Sequence, residues 1–468
     1  MIPVKIHAGL SHFLALAVLP LLVAVDSIAD DRVRPYETNP QYWQYKGEPV
    51  LLLGGSKTDH IFLLDDLESH LDEIVAAGGN YVRCTMSQRE GSTLKPHRLL
   101  PDDKFDLDQW NDDYWNRFDR CLELCAARNI IVQIELWDRF DYSQKEWAAS
   151  AWRPANNVNY AGEDTGFADA YPEPAHRDKQ PFFFTVPGIP QYDERYARIL
   201  SYQGAFAEKV LQHALPHGNV LYCISNEGSA PAEWSAYWAQ LIHDRARQAG
   251  VSAFVTEMLD GARLEPVVSR PDRYTFVEGS KVLGPRRQAW APKGEGQWQL
   301  ILDTFTAMGD TKRPINAVKI ITNEDAEQDL YSRQKFWRGL MAGMAAIRFH
   351  RAPAGSALND SAKVCIRAAR LVEAQVKFWE LAPRLDLLSD RDEDEAYLRA
   401  APGHGYVLYF PNGGEVTLDL SRELEARSGY WIDIGAGEQR EMISIDGGAP
   451  VPIAAPGTAD WVLVLTPR

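Results

Sequence analysis

Between residues 50 and 381 the sequence repeats one pattern eight times: a short apolar run ending in polar or aromatic residues, then a stretch leading toward helix. The runs fall at 50–53, 80–85, 130–136, 220–224, 253–256, 274–277, 314–321 and 345–349. Helical spacing of apolar residues marks 65–77, 110–128, 194–215, 232–249, 296–308, 330–344 and 359–381. Leu67, Leu71, Ile74 and Val75 set the period of the first helix, Gly78-Gly79 ends it, and Asn359 is placed to cap the last. Eight such strands in a row, all but the fifth leading into one of these helices, match the strand count of a closed (β/α)8, or TIM, barrel, so the expected fold class is α/β.

The pattern changes near residue 390. Short strands are expected at 397–399, 406–410, 416–420, 430–434, 441–445 and 461–465, with Gly- and Pro-containing turns between them, as in a small all-β sandwich. The length, 468 residues, suits two or three units. The expected division is a leader at 1–29, a barrel at 30–388 and a β-sandwich at 389–468. The leader is read from Lys5, the apolar stretch 13–25 and Ser27-Ile28-Ala29, which together resemble an export signal and its cleavage site. A secreted or periplasmic protein is therefore expected, and nothing after the leader is long and apolar enough to span a membrane.

A formal charge of -16 argues against a nucleic-acid partner or an anionic membrane, because phosphate binding needs clustered Lys and Arg. Fourteen Trp, nineteen Tyr and seventeen Phe would serve a carbohydrate cleft, where flat apolar faces stack on sugar rings, and would equally serve a large core. Cys84, Cys121, Cys125, Cys223 and Cys365 are odd in number and scattered, so buried free thiols are expected rather than a disulfide framework. No cofactor is called for, and no cluster of His, Cys or acidic residues has the spacing of a metal site.

Polar residues at the carboxyl end of a barrel strand occupy the place where such barrels carry their chemistry. On the fourth strand these are Asn226 and Glu227, followed by Gly228. The second strand delivers Arg83, and the third is followed by Trp137 and Asp138, a candidate sugar platform beside a polar hook. Glu257 and Glu278 follow the fifth and sixth strands, and Thr322-Asn323-Glu324-Asp325 ends the seventh. His350 and Arg351 stand at the tip of the eighth. Gly54-Gly55 lacks both the Walker and the dinucleotide spacing, so it reads as a loop at the barrel mouth, with Lys57, Asp59 and His60 near ligand. The segment 139–198, rich in Pro, Asn, Gly and aromatics, is expected to lie over the same face and shape the pocket.

Three stretches give the chain a resemblance to a known group: Ser225-Asn226-Glu227-Gly228, the helix Phe336-Trp337-Arg338-Gly339-Leu340-Met341-Ala342-Gly343, and the ending Asp460-Trp461-Val462-Leu463-Val464-Leu465. It resembles secreted bacterial proteins with an apiosidase-like glycosidase barrel of the two-glutamate clan and a small C-terminal β-domain that carries a collagen-binding label. The resemblance implies glycoside hydrolysis with Glu227 as acid/base, Asn226 on the sugar 2-hydroxyl and Arg83 supporting the catalytic glutamate. It implies a structural role for the β-domain. One departure is plain: where the clan carries its nucleophile, about five residues after the Pro that opens strand seven, this chain has Lys319. Glu324 is then the leading nucleophile candidate, with Glu278 and Glu257 behind it.

The expected reaction is retaining hydrolysis of a plant or algal type polysaccharide or oligosaccharide. It needs two carboxyls about 5–5.5 Å apart, against about 6.5–9.5 Å for inversion, and an acid whose pKa is raised. Two other readings remain open. One is a non-catalytic glycan-binding protein in which Lys319 has displaced the nucleophile. The other is a lyase that uses Lys319 or His350 as base on acidic sugars, with Lys57, Lys281, Arg286, Arg287 and Arg351 suited to a uronate or sulfated glycan.

Overall fold

The structure, a computed structural model, describes Met1 and residues 31–87, 94–173, 180–261, 264–284, 292–321, 328–352 and 354–468. The expected leader therefore lies, apart from Met1, outside the described residues, as do Glu324, Arg286 and Arg287.

All eight expected strands are present. They are, in order, Leu52–Gly55, Tyr81–Thr85, Ile131–Asp138, Val220–Asn226, Val255–Thr256, Val277–Glu278, Ile315–Ile320 and Ala346–Phe349. They form two parallel sheets, in the order five-four-three-two and six-seven-eight-one. Backbone bonds cross both seams: Asn80 N–H donates to the Leu53 carbonyl at 2.8 Å, and Thr275 N–H to the Val255 carbonyl at 2.8 Å. This is the strand order of a (β/α)8 barrel. Every residue of these strands is buried, which is why they read as nearly unbroken apolar runs rather than alternating ones.

Gly54 and Gly55 lie inside strand one, not in a loop as the sequence suggested. A Cβ on Gly54 would stand 1.8 Å from the Tyr81 carbonyl oxygen, so close approach of strand two demands a glycine there. Outside the barrel lie helices such as Asp112–Ala127, begun by Asn111 accepting from Asp113 N–H, and Asp360–Gln375, begun by Asn359 accepting from Ala362 N–H at 2.9 Å. The segment 139–198 is not structureless. It carries short helical turns, among them Gln144–Ala148 and Gly162–Thr165, around the buried rings of Trp147, Trp152, Phe167 and Phe182.

The barrel interior is polar in steps. At its amino end Trp43, from an N-terminal strand Trp43–Tyr45, packs edge-on to Phe254 and Phe276 and donates from its ring nitrogen to Asn316 Oδ1 at 2.8 Å. Above it Asn316, Tyr81, Gln133 and Glu278 form a hydrogen-bonded layer. The charged residues described below sit beyond that layer, toward the carboxyl ends of the strands.

After residue 381 the chain is β apart from the helical turn Leu385–Leu387. A six-stranded and a three-stranded antiparallel sheet contain every strand expected there, and Ala382–Pro383, Leu388–Ser389 and Pro450–Ala454 besides. Alternation along the central strands divides their side chains. Leu398, Leu408, Leu463 and Leu465 face the small sheet's core, while Tyr397, Val407, Tyr409, Val462 and Val464 join the barrel's core. Tyr409 stacks on Trp337, and Arg338 grips Asp394 through Nε at 2.8 Å and Nη2 at 2.7 Å. Fully buried Asp460 takes Arg333 Nε at 2.9 Å. Trp337 and Arg338 of the helix motif and Asp460 of the terminal motif thus all lie at the junction between the barrel and the β-region.

Candidate functional site

Strand four ends with Asn226, and Glu227 follows in the left-handed region at φ 54°. A non-glycine residue held there is strained, which is a pattern common at functional sites. The turn is held by the strand-five loop: Gly228 N–H donates to the Met258 carbonyl at 2.6 Å and Asp260 N–H to the Gly228 carbonyl at 2.9 Å. Glu227 is left 15% exposed at the side chain, ringed by cations. Lys319, from strand seven, donates to Asn226 Oδ1 at 2.5 Å and to Glu227 Oε1 at 2.8 Å. Lys281, on the turn Ser280–Leu283 after strand six, lies 2.9 Å from Glu227 Oε2 and 3.8 Å from Asp260. Arg139, on the turn Arg139–Tyr142 after strand three, lies 3.5 Å from Glu227 Oε2 and 2.9 Å from Asp260.

These contacts decide the ionisation of the cluster. Burial alone would raise the Glu227 pKa, but the Lys319 and Lys281 ammonium groups outweigh it and hold the carboxyl well below its ordinary range. The raised pKa expected of a resting general acid is therefore not found: Glu227 is ionised. The Lys319 pKa is lowered as well. Burial first, then the nearby Arg83 and Lys281 charges, bring it down to about 8, with Glu227 opposing.

A second charged cluster lies beneath. Arg83 donates through Nε to Glu135 Oε1 at 2.6 Å and through Nη2 to Glu135 Oε2, and its Nη1 stands 2.7 Å from Asp59. Arg348 at 3.5 Å, His350 at 3.6 Å and Arg351 at 2.8 Å also surround Asp59. Arg83 thus holds Glu135 and Asp59 in a buried salt-bridged cluster. His350 is kept neutral: burial, then the positive charges of Lys319, Arg83 and Arg348, lower its pKa against the pull of Asp59.

Other sequence candidates land elsewhere. Trp137 is 1% exposed and enclosed by Phe182, Phe206, Trp234 and Trp238, so it is part of the core and not a platform. Buried Asp138 accepts from Phe140 N–H at 3.1 Å and caps the turn that carries Arg139. Glu278 belongs to the lower layer, bonded to Gln133 at 3.0 Å and Ser280 N–H at 2.8 Å, and burial raises its pKa. Glu257 is 1% exposed behind the Glu227 turn, its Oε1 only 2.8 Å from where a Cβ on Gly228 would be. Lys57 pairs with Asp66 at the surface. All five cysteines are buried and unpaired.

Sequence reading missed Arg139, Asp260 and Glu135. Glu135 was detectable: with Gln133 it interrupts an otherwise apolar strand at every second position, the signature of side chains turned into a barrel. Among the described residues no group of three or more His, Cys, Asp or Glu is placed to hold a metal ion, and no helix is long and apolar enough to cross a membrane.

Residues 98–261 match a family model described as a domain of unknown function, DUF6298. No curated protein matches the sequence. Solved structures do match the fold. A glycoside hydrolase family 5 protein from Bacteroides vulgatus superposes with a TM-score of 0.65 at 13% identity, over 93% of this chain and 94% of its own. Another glycoside hydrolase gives 0.64 at 12% identity, over 93% and 97%. A family 5 mannosidase from Rhizomucor miehei gives 0.50 at 14% identity, over 74% and 99%. At these identities the likeness is one of fold: the chain is similar to glycosidase barrels, and with the first two the similarity extends through the β-region as well.

Proposed function

We propose that the protein is a glycoside hydrolase acting on a plant or algal type polysaccharide or oligosaccharide, with Glu227 as a reacting carboxylate. The observation that carries this reading is the position of Asn226 and Glu227 at the carboxyl end of strand four, with Glu227 the partly exposed hub of the inner charge cluster. The barrel's likeness to glycosidases supports it, and so do the three motifs shared with apiosidase-like proteins. Export through the leader at 1–29 and a barrel at 30–388 followed by a supporting β-domain belong to the same reading.

In its retaining form Glu324 is the nucleophile and Glu227 the acid/base. Because Glu227 is ionised at rest, this form requires substrate to loosen its ammonium partners before Glu227 can carry a proton. Lys319 favours a second reading. An ammonium of pKa about 8 touching a carboxylate places acid and base side by side, which suits elimination from an acidic sugar better than attack and departure on opposite faces.

The test is a panel of plant and algal glycans incubated with the wild type and with Glu227→Gln, assayed for new reducing ends and for the ultraviolet absorbance of unsaturated sugars. The expected result is saturated products from the wild type and none from the variant. Unsaturated products would establish the lyase reading, and saturable binding without cleavage the glycan-binding one. Cleavage that survives in Glu227→Gln removes Glu227 from the chemistry.

A further inference from the structure

Much of the junction between the barrel and the β-region is closed and apolar: Tyr409 stacks on Trp337, and Val462 and Val464 join the barrel's core. One corner is open. A cavity of about 530 Å³ lies there, between the starts of the helices Glu295–Met308 and Gln328–Ala342 and the β-region loops that carry Asp394 and Asn412. That volume is within the range of ligand sites, and junctions between units are common places for them. The two helices follow strands six and seven, so they begin at the carboxyl-end rim of the barrel, the side on which Glu227 lies.

The lining is polar and held in place from both sides. Arg338 grips Asp394 at two points, and Asp394 also accepts from the Tyr397 hydroxyl at 2.5 Å. Glu295 accepts from Arg391 Nη2 at 2.7 Å and from Asp394 N–H at 2.9 Å. Gln334 donates to the Pro411 carbonyl at 3.1 Å and to Asn412 Oδ1 at 2.9 Å. Groups fixed before a ligand arrives lower the cost of binding it. Asp394 is itself held at φ 60°, a strained setting for a residue other than glycine and one that recurs at ligand clamps. A corner that only joined two units would be filled by apolar side chains. This one presents amides, carboxylates and cations around the Tyr331 ring, which suits sugar hydroxyls because each of them both donates and accepts.

The cavity is joined to the site described above. Lys335 Nζ lies 4.1 Å from the centre of the Tyr331 ring and donates to the Gly284 carbonyl at 2.6 Å and the Ile321 carbonyl at 2.5 Å. Gly284 ends the turn that bears Lys281, and Ile321 follows the strand that bears Lys319. We propose that this cavity is an outlying subsite for a glycan chain, and that the substrate is long enough to run from Glu227 over the ends of strands six and seven to the β-region. The inference rests on the carbohydrate reading above and adds chain length to it. The β-region then takes part in binding and does not only support the barrel.

The experiment reads binding to an array of plant and algal polysaccharides and of disaccharides and hexasaccharides prepared from them. It uses the full chain with Glu227→Gln, so that bound chains are not cut. In that background Asn412→Ala removes a lining amide and Asn412→Trp fills the cavity, and thermal melts confirm that each variant is folded. The hexasaccharide of at least one series is expected to bind about ten-fold or more tighter than its disaccharide. Both Asn412 variants should bring that ratio down toward unity, Asn412→Trp the more completely. Equal binding of the two lengths in every series, binding to no member of the array, or a length preference untouched in both variants would overturn the proposal. The cleavage screen speaks separately to hydrolysis. A length preference that the Asn412 variants lose, in a protein that cuts nothing, would count against hydrolysis alone. Cleavage by the wild type that uses hexasaccharide and disaccharide equally would count against this inference alone.

Discussion

Lys319 Nζ lies 2.8 Å from Glu227 Oε1 and 2.5 Å from Asn226 Oδ1, joining strand seven to the end of strand four across the barrel mouth. The position at which the resemblance leads one to expect a second acid holds instead the counter-ion of the first. The two groups share one local field, so they titrate as a pair and neither sets its ionisation alone. Any account of the chemistry has to begin with an ionised Glu227 and an ammonium of unusually low pKa.

Replacing Lys319 with Met tests that coupling. The substitution removes the foremost of the charges that lower the Glu227 pKa and leaves Lys281 in place, so the Glu227 pKa should rise toward the ordinary carboxylate range. In a pH–rate profile the acidic limb should move to higher pH, and an alkaline limb near 8 in the wild type should vanish with the lysine. A loss of about 10²-fold or more in kcat/KM is expected if the ammonium handles a proton in the reaction. Carbon-13 NMR of the glutamate carboxyls reads the same shift in an inactive variant. An unmoved Glu227 resonance would refute the coupling.

Arg83 is expected to be a stability residue first. Its guanidinium stands between Glu135 and Asp59, all three buried; among the described residues its removal takes the ion pair from Glu135 and leaves Asp59 to Arg348 and Arg351. Arg83→Met should cost about 3–5 kcal/mol in denaturant unfolding. The cost should shrink toward acid pH, where the orphaned carboxyls can take up protons. Arg83→Lys should recover little, because an ammonium cannot span both acids as the fork does. A loss below about 1 kcal/mol at neutral pH would show that the pair is solvated in practice.

How far the sequence could be read follows from the range over which each contact acts. The barrel strands were legible because burial on both faces writes an unbroken apolar run, and their ends shifted by only a few residues. The N-terminal strands Arg34–Pro35, Trp43–Tyr45 and Glu48–Val50 were not, nor was the hairpin His97–Leu99 with Phe105–Trp110. Those elements are short and mixed in polarity, and distant contacts hold them, such as Trp43 on Asn316 and Leu107 N–H on Asn159. In the site, Asn226 and Glu227 were found because they end or follow an apolar strand, and Lys319 because it stands where the resemblance leads one to expect an acid. Which carboxylate Arg83 holds, and that Arg139 and Asp260 close on Glu227, depends on how loops after different strands meet. Trp137 was misread because sequence places a residue at a strand's end without saying which side of the strand it faces.

The buried carboxyl of Glu257 yields a prediction about stability. Among the described residues no hydrogen bond of good geometry reaches either of its oxygens; Ser235 and Ser225 hydroxyls favour its charged form in part, but burial dominates and raises the pKa from 4.5 to about 8. The folded protein therefore holds this proton more tightly than the unfolded chain does. Stability from this group is complete below the unfolded pKa, declines as pH rises from there through the folded pKa, and is flat above it. The loss across that window is up to about 5 kcal/mol. Glu257→Gln keeps the shape and cannot ionise in either state, so it lacks the slope. Its melting temperature relative to the wild type should climb between about pH 5 and about pH 9. A difference that stays constant over that range would mean that Glu257 is ionised in the fold, with a counter-charge or water reaching it from the cavity of about 340 Å³ that it lines with Ser235, Arg270 and Tyr274.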